Sequence, residues 1–459
     1  MRIALLLTVA ASVASAADGD DRFMLPDWFE ANRVQAHSEH GLALALKLTP
    51  EGHSRAIRAL GANVLTRIFL TRDEGAWWPS TVGEISPLIG DRDFAAEIVR
   101  AVHGQGMKAV AYHRHMSDAL IQREHPGWVC KHPDGSPVLE PRGKTKTIFV
   151  ICPNSPYREY IKTRLLELAD RGVDCLYFDS WHMPDVCACD YCLKAFREQT
   201  GHDLDRSAAV GSPAYMEGVE FVNRSMVRAF ADWRDAVRAR HPNIFFAIGS
   251  SVYPMFHTPH IDARLLEISD TSKTEFHKPF GQNAAVMRGE PDLAPPAFDD
   301  QVALGWSLVR DASGGRPPLM WIPFIRGERT ALYSAAAAVT YGCIASMNVT
   351  LRRMETDAPR SLELFSSSFA MGHKLSPYLA HARPIPWAAL HISRRARDAR
   401  YPDRKLMYRE VFAPALGASE ALKEAHLPWV TVTDSALAGD LRPTTKVLIL
   451  PWPDELGNA

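Results

Sequence analysis

Short apolar runs alternate with amphipathic stretches along most of the chain. Eight runs have the length and composition of strands: GLALALKL (41–48), NVLTRIFL (63–70), MKAVAYHRH (107–115), VDCLYFD (173–179), NIFFAIGS (243–250), DTSKTEF (270–276), PLMWIPF (318–324) and IASMNVT (344–350). Between them HSRAIRALGA, FAAEIVRAVHGQG, YREYIKTRLLELADRG, EFVNRSMVRAFADWRDAVRARHP, QVALGWSLVRDASGG and ALYSAAAAVTYGC place apolar residues at helical spacing, and several end in Gly or Pro. Strands that alternate with helices predict an α/β fold with a parallel sheet, and eight such units predict a (β/α)8 TIM barrel over residues 17–383. Two inserts, 116–148 and 180–215, exceed ordinary loop length, and long βα loops on a barrel build its active-site face. A second pattern follows, with strands WAALHIS (387–393), WVTVTD (429–434) and KVLILPW (446–452) around one long helix. It predicts a partial doubly wound α/β domain over residues 384–459, three strands into its course.

The opening, MRIALLLTVAASVASA, is one basic residue, an apolar run and a small-residue Ala14-Ser15-Ala16 ending, which predicts a leader cut after Ala16 and a secreted or periplasmic protein. No later stretch reaches the roughly 20 apolar residues that span a bilayer. With 52 basic and 53 acidic residues, the charge balance argues against nucleic acid and against anionic membranes as partners. Eleven tryptophans add a different signal. Trp77, Trp78, Trp181 and Trp321 lie near predicted strand ends, where a ring can stack on the C–H face of a sugar, and ordinary core burial is the competing reading.

Cys187, Cys189 and Cys192 form a C-x-C-x2-C run too tight for a conventional set of cystines. Three thiolates and a distant fourth suit a tetrahedral zinc site, and Cys130, in the other long insert, is the natural fourth. Disulfides, which export permits, and free thiols are the alternatives. A site made of four thiolates is closed and structural. Cys152, Cys175 and Cys343 sit in apolar contexts and read as small buried hydrophobes.

Asp179 ends the fourth predicted strand, where a barrel directs a polar side chain into its mouth. Glycoside hydrolysis generally uses two carboxyl groups, one a nucleophile or base and the other a proton donor. Glu275, closing the sixth strand, is the best-placed partner, with Glu267, Glu328 and Glu355 behind it. His113 and His115 alternate with Arg114 and so share one strand face, suited to sugar hydroxyls, to structural hydrogen bonds or to a metal. Asn154 and Tyr157 begin the helix that feeds the fourth strand, lining the mouth or capping that helix.

HPGWVCKHPDGSPV, ICPNSPYREYI, GVDCLYFDSW and CACDYCLKAFREQTGHDL together resemble poorly characterised glycoside hydrolases whose barrel precedes a β-galactosidase-type trimerisation domain. The cysteine segment is similar to the zinc cluster of trimeric β-galactosidases, and the resemblance implies zinc on Cys130, Cys187, Cys189 and Cys192. It also implies that the tail is flavodoxin-like and that the chain forms a homotrimer. Those β-galactosidases end the fourth strand in Asn-Glu, whereas this chain has Phe178-Asp179-Ser180-Trp181, an ending similar to that of α-L-fucosidases with a nucleophilic aspartate. The expectation is therefore a secreted glycoside hydrolase of retaining mechanism acting on a carbohydrate. Asp179 would be its nucleophile and Glu275 its acid/base, with His113, His115, Asn154, Trp181, His182 and Trp321 around the sugar. A non-catalytic carbohydrate-binding barrel and a metal-dependent hydrolase using His113 and His115 are the rival readings.

Overall fold

A computed structural model describes residues 6–7, 25–38, 42–47, 49–70, 75–114, 119–142, 146–179, 183–250, 263–275, 298–322, 328–349, 360–400, 403–437, 439 and 441–452. Eight parallel strands close into a barrel: β1 Val34–His37, β2 Val64–Leu70, β3 Lys108–Arg114, β4 Cys175–Asp179, β5 Phe245–Ser250, β6 Thr271–Glu275, β7 Leu319–Ile322 and β8 Ile344–Asn348. They neighbour one another in chain order, and β8 pairs with β1 to complete the ring. Seven of the eight predicted strands are present.

The first is not where the pattern placed it. Residues 41–48 hold a short helix, Leu42–Ala45, and the true first strand is the four-residue VQAH upstream, every residue of it buried. Alternating leucine and alanine mimic strand periodicity, but these are two of the strongest helix formers, and the run has no β-branched residue to favour a pleat.

Strand β4 shows how the barrel divides its side chains. Phe178 points outward into the layer between sheet and helices, where it meets Phe230 at 5.6 Å, Trp233 in a parallel stack at 5.9 Å and Phe246 at 5.9 Å. Phe230 and Trp233 belong to the longest described helix, Pro213–Arg240, which starts where the Ser212 side chain accepts from the Tyr215 N–H and Pro213 takes the first turn. Burying Phe178 in this layer contributes about 1.5–3 kcal/mol. By the two-residue alternation of a strand, Tyr177 and Asp179 face the other way, into the barrel.

The second sheet consists of β9 Ala388–Ile392, β10 Trp429–Thr433 and β11 Val447–Ile449, parallel, with β9 in the middle. Leu6–Leu7, within the segment read as a leader, adds antiparallel to β11. This sheet is fastened to the barrel by a buried pair on the helix Phe298–Ala312. Asp311 accepts from the Thr431 N–H at 2.7 Å and pairs with Arg310 at 2.8 Å, and Arg310 in turn donates to the Tyr341 carbonyl. No described helix is long and apolar enough to cross a membrane.

Candidate active site and an adjoining thiol cluster

The C-terminal ends of the strands gather on one face of the barrel, and Asp179 is the last residue of β4. Its carboxylate stays partly exposed and accepts a hydrogen bond from the Tyr112 hydroxyl of β3. Tyr112 and Tyr177 lie ring against ring at 5.1 Å, inside the barrel. Between Asp179 and the next interior side chain stands Gly249 of β5. A Cβ built there would lie 2.8 Å from the Tyr177 hydroxyl, 2.9 Å from the Phe178 carbonyl and 3.0 Å from Asp179 Oδ1. One of those atoms is backbone and does not rotate away. Gly249→Ala is therefore expected to cost about 1–3 kcal/mol of stability by overpacking and to displace the Asp179 carboxylate, read by thermal unfolding and by activity.

Gly249 pairs with Lys273 of β6. Lys273 is 2% exposed, and its ammonium lies over the rings of Tyr177 at 4.2 Å, Trp321 at 5.1 Å and Tyr112 at 5.6 Å. His37, at the end of β1, adds its ring 6.1 Å from Tyr112 and 6.0 Å from Trp321. Lys273, Tyr112, Gly249 and His37 were missed in the sequence. A lysine in the middle of an otherwise polar strand carries no signal until the barrel closes around it.

The expected site residues divide. Trp321, expected to stack on a sugar, turns its ring toward Lys273 and His37 inside the barrel, and at 9% exposure it is more wall than platform. Glu275 closes β6 in register with Trp321, and its side chain lies outside the described residues, as do His115, Trp181 and His182 entirely. His113 does not reach the mouth. It alternates with the inward Tyr112 and sets its ring edge-on against the outward Phe178 at 5.6 Å, in the apolar layer under the helices. Trp77 and Trp78 are fully buried; the first packs on Phe94 and the second donates to Glu167, so neither is a sugar platform. Glu267 accepts from Thr433 and Ser435, tying the barrel to the second sheet, and Glu328 accepts from Ser367.

His113 carries a pH signature of that burial. Desolvation first, and the Arg164 charge second, push it down to about 3 from an ordinary 6.5. The unfolded chain takes up a proton there below about pH 6.5, and the folded chain refuses it until near 3. The histidine's contribution is thus complete above about pH 6.5 and is lost as the pH falls through that window, at up to about 1.4 kcal/mol per pH unit. In His113→Gln that slope is expected to vanish between pH 7 and 5 in denaturant titrations, whatever the change in absolute stability.

The thiols assemble beside this face. Cys152, Cys187, Cys189 and Cys192 are all buried, with sulfurs within 4.8 Å of one another, the only such metal-capable group among the described residues. Cys189 is the N-cap of the helix Asp190–Thr200, so Cys192 falls in its first turn, and the positive end of the helix dipole faces the sulfurs. The mutually close set contains Cys152 where Cys130 was expected, and Cys130 lies in contact with Cys152 and Cys187 beside it. An antiparallel bridge, Val129 to Ile151, brings the two segments together, with the Cys130 N–H bonded to the Val150 carbonyl and the Cys152 N–H to the Trp128 carbonyl. Cys152 then sits in the turn before the next helix, 3.4 Å from the Cys192 sulfur, and is no isolated core hydrophobe. Cys130 stands alongside as a fifth thiol, 3.7 Å from the Met183 sulfur.

Hydrogen bonds from Cys130, Cys152, Cys189 and Cys192 hold the Cys187 thiol well below its ordinary value. Burial pushes Cys130 and Cys152 up, and contact with Cys152, Cys187 and Cys189 raises Cys192. Asn154, expected near the sugar, instead donates its amide to the Cys192 sulfur at 3.3 Å and to Ser225 at 3.0 Å. It orients a sulfur, as outer partners of metal ligands do. The Ala188 N–H bonds the Lys131 carbonyl, so the cluster joins both long inserts.

Residues 53–180 match a family model described as hypothetical glycosyl hydrolase 6. No curated relative matches the chain. Among solved structures, α-L-fucosidase isoenzyme 2 from Paenibacillus thiaminolyticus superposes with a TM-score of 0.66 at 16% identity, over 90% of this chain and 61% of that one. A β-galactosidase from Bacillus circulans sp. alkalophilus gives 0.63 at 15%, over 88% and 66%. The β-galactosidase of Rahnella sp. R3 gives 0.66 at 14%, over 88% and 65%. The chain spans less than two thirds of the length of each of these neighbours. At such identities the likeness is one of fold: this chain has the (β/α)8 architecture that those glycosidases share, and its second to fourth strands fall in a segment that fits a glycosyl hydrolase family.

Proposed function

We propose that the chain is an exported glycoside hydrolase that cleaves a glycosidic bond with retention. The observation that carries this reading is the position of Asp179. It is a partly exposed carboxylate at the C-terminal end of β4, turned into the barrel and oriented by the Tyr112 hydroxyl. Active sites of such barrels lie on this face. Asp179 attacks the anomeric carbon as the leaving oxygen takes a proton from Glu275, which closes β6; water activated by Glu275 then releases the sugar. A fluorinated 2-deoxy-2-fluoro glycoside with a good leaving group is expected to trap the first intermediate as an ester on Asp179, identified by peptide mass. Labelling of another carboxylate removes the assignment. No release of sugar from any of a broad panel of aryl glycosides favours a barrel that binds carbohydrate without cleaving it.

Zinc is the metal proposed for the thiols, held by Cys152, Cys187, Cys189 and Cys192. Four buried sulfurs within 4.8 Å suit a tetrahedral site, whose sulfurs stand about 3.8 Å apart at Zn–S distances of about 2.3 Å. With every position filled by sulfur the metal binds no water. It would fasten the second insert to the segment just after the first, beside the Ala188–Lys131 backbone bond that links the inserts themselves. The leader, cleaved after Ala16, and assembly of copies through the second sheet belong to the same proposal.

A further inference from the structure

We propose that Lys273 is a positioning residue for Asp179, acting through the aromatic box of Tyr112, Tyr177 and Trp321. The inference rests on the reading of Asp179 as the reacting carboxylate. An ammonium at 2% exposure has lost almost all its hydration, a heavy cost for a group placed merely to fill a core that leucine or methionine would fill better. Ring faces at 4.2, 5.1 and 5.6 Å offset part of that cost through their negative quadrupoles.

One of those rings has a second task. Tyr112 turns its face toward the lysine and its hydroxyl to Asp179. A cation on the face of a phenol withdraws electron density from it and makes the O–H a stronger donor, so the charge of Lys273 reaches the carboxylate as a tighter, better aimed hydrogen bond. Geometry supports the same path. Gly249 pairs with Lys273 in the ladder, and a Cβ at Gly249 would touch Asp179 Oδ1, so the intervening strand places no side chain between the lysine's level and the carboxylate. Medium of low polarity then carries the field of the ammonium with little screening. The titratable groups facing this region among the described side chains are Tyr112 on β3, Tyr177 on β4, Lys273 on β6 and His37 on β1. Arg114, in register with Asp179, and Glu275, two residues beyond Lys273, share the inward register, with side chains outside the described residues. His113 and Cys175 are neighbours in sequence but face the helical layer or the opposite end.

The test is the ionisation of Asp179 in the full chain, followed by carboxyl-13C NMR with labelled aspartate and assigned by its loss in Asp179→Asn. Lys273→Met keeps the length of the side chain and removes the charge; Tyr112→Phe keeps the ring and removes the donor. Each is expected to raise the Asp179 midpoint by about one pH unit, and the double variant by clearly less than the sum, because the two act in series. The acidic limb of the kcat/KM profile should move with it. A Lys273→Met protein that unfolds cooperatively yet titrates Asp179 as wild type does would make the lysine a mere filler and overturn the proposal. Should Lys273→Met fail to fold, Tyr112→Phe decides alone: no shift there overturns it equally. The titration needs no substrate, so a chain that cleaves no glycoside ends the hydrolase reading without touching this result.

Discussion

Asp179→Asn is expected to lower kcat/KM by roughly four orders of magnitude or more while leaving Tm within about 2 °C of wild type. The amide matches the carboxylate in volume and still accepts from the Tyr112 hydroxyl, so the packing against Gly249 is kept. What it lacks is the negative charge and nucleophilicity that form the glycosyl ester, and no neighbouring group replaces an attacking atom. Loss of activity with retained stability distinguishes a chemical role from a brace. Aspartates in this fold do act as braces. Asp270, at the opposite end of β6, is 2% exposed and accepts from Arg238 and from the Phe246 N–H, so its replacement should unfold the protein first. A variant of Asp179 that keeps a tenth of wild-type turnover would remove it from the chemistry.

The second large effect concerns the thiols. Purified protein is expected to carry about one zinc per chain, and Cys152→Ser to weaken retention of that metal by roughly a hundredfold or more and to lower Tm by about 5 °C or more. Cys130→Ser should keep both. The contrast follows from geometry: Cys152 is one of four sulfurs that all lie within 4.8 Å of one another, with Cys187, Cys189 and Cys192, whereas Cys130 touches Cys152 and Cys187 from outside that set, beside Met183. A closed site that ties the second insert to the segment after the first stabilises only the folded chain, so removing a ligand loosens the rim. Strong chelation should reproduce the Cys152→Ser phenotype, reversed by adding zinc back. Metal lost from Cys130→Ser and kept in Cys152→Ser would reverse the assignment.

Seven barrel strands and the three strands of the second sheet were legible because their signals are local. Runs such as LYFD and FFAIGS are short, apolar and bounded by helix stops, and the helices between them keep a clear 3.6-residue pattern. Asp179 was legible for a related reason, since a polar residue that terminates an apolar strand stands at the end of the barrel. The first strand was not. VQAH is too short and too polar for its burial to be read before its neighbours are in place, and the leucines downstream imitate a strand.

Spacing along single stretches of chain was enough to establish the succession of elements, the closed α/β architecture and the place of Asp179 at the end of a barrel strand. Which side of each strand meets the interior was settled only when the barrel closed. In a parallel barrel both faces are buried, so alternation cannot tell Tyr112 from His113, and closure sent the first to Asp179 and the second under the helices. Closure also brought Lys273 among three rings, and a bridge between distant segments put Cys152 in the place expected for Cys130. These outcomes depend on distances between residues remote in the chain, which no local pattern encodes.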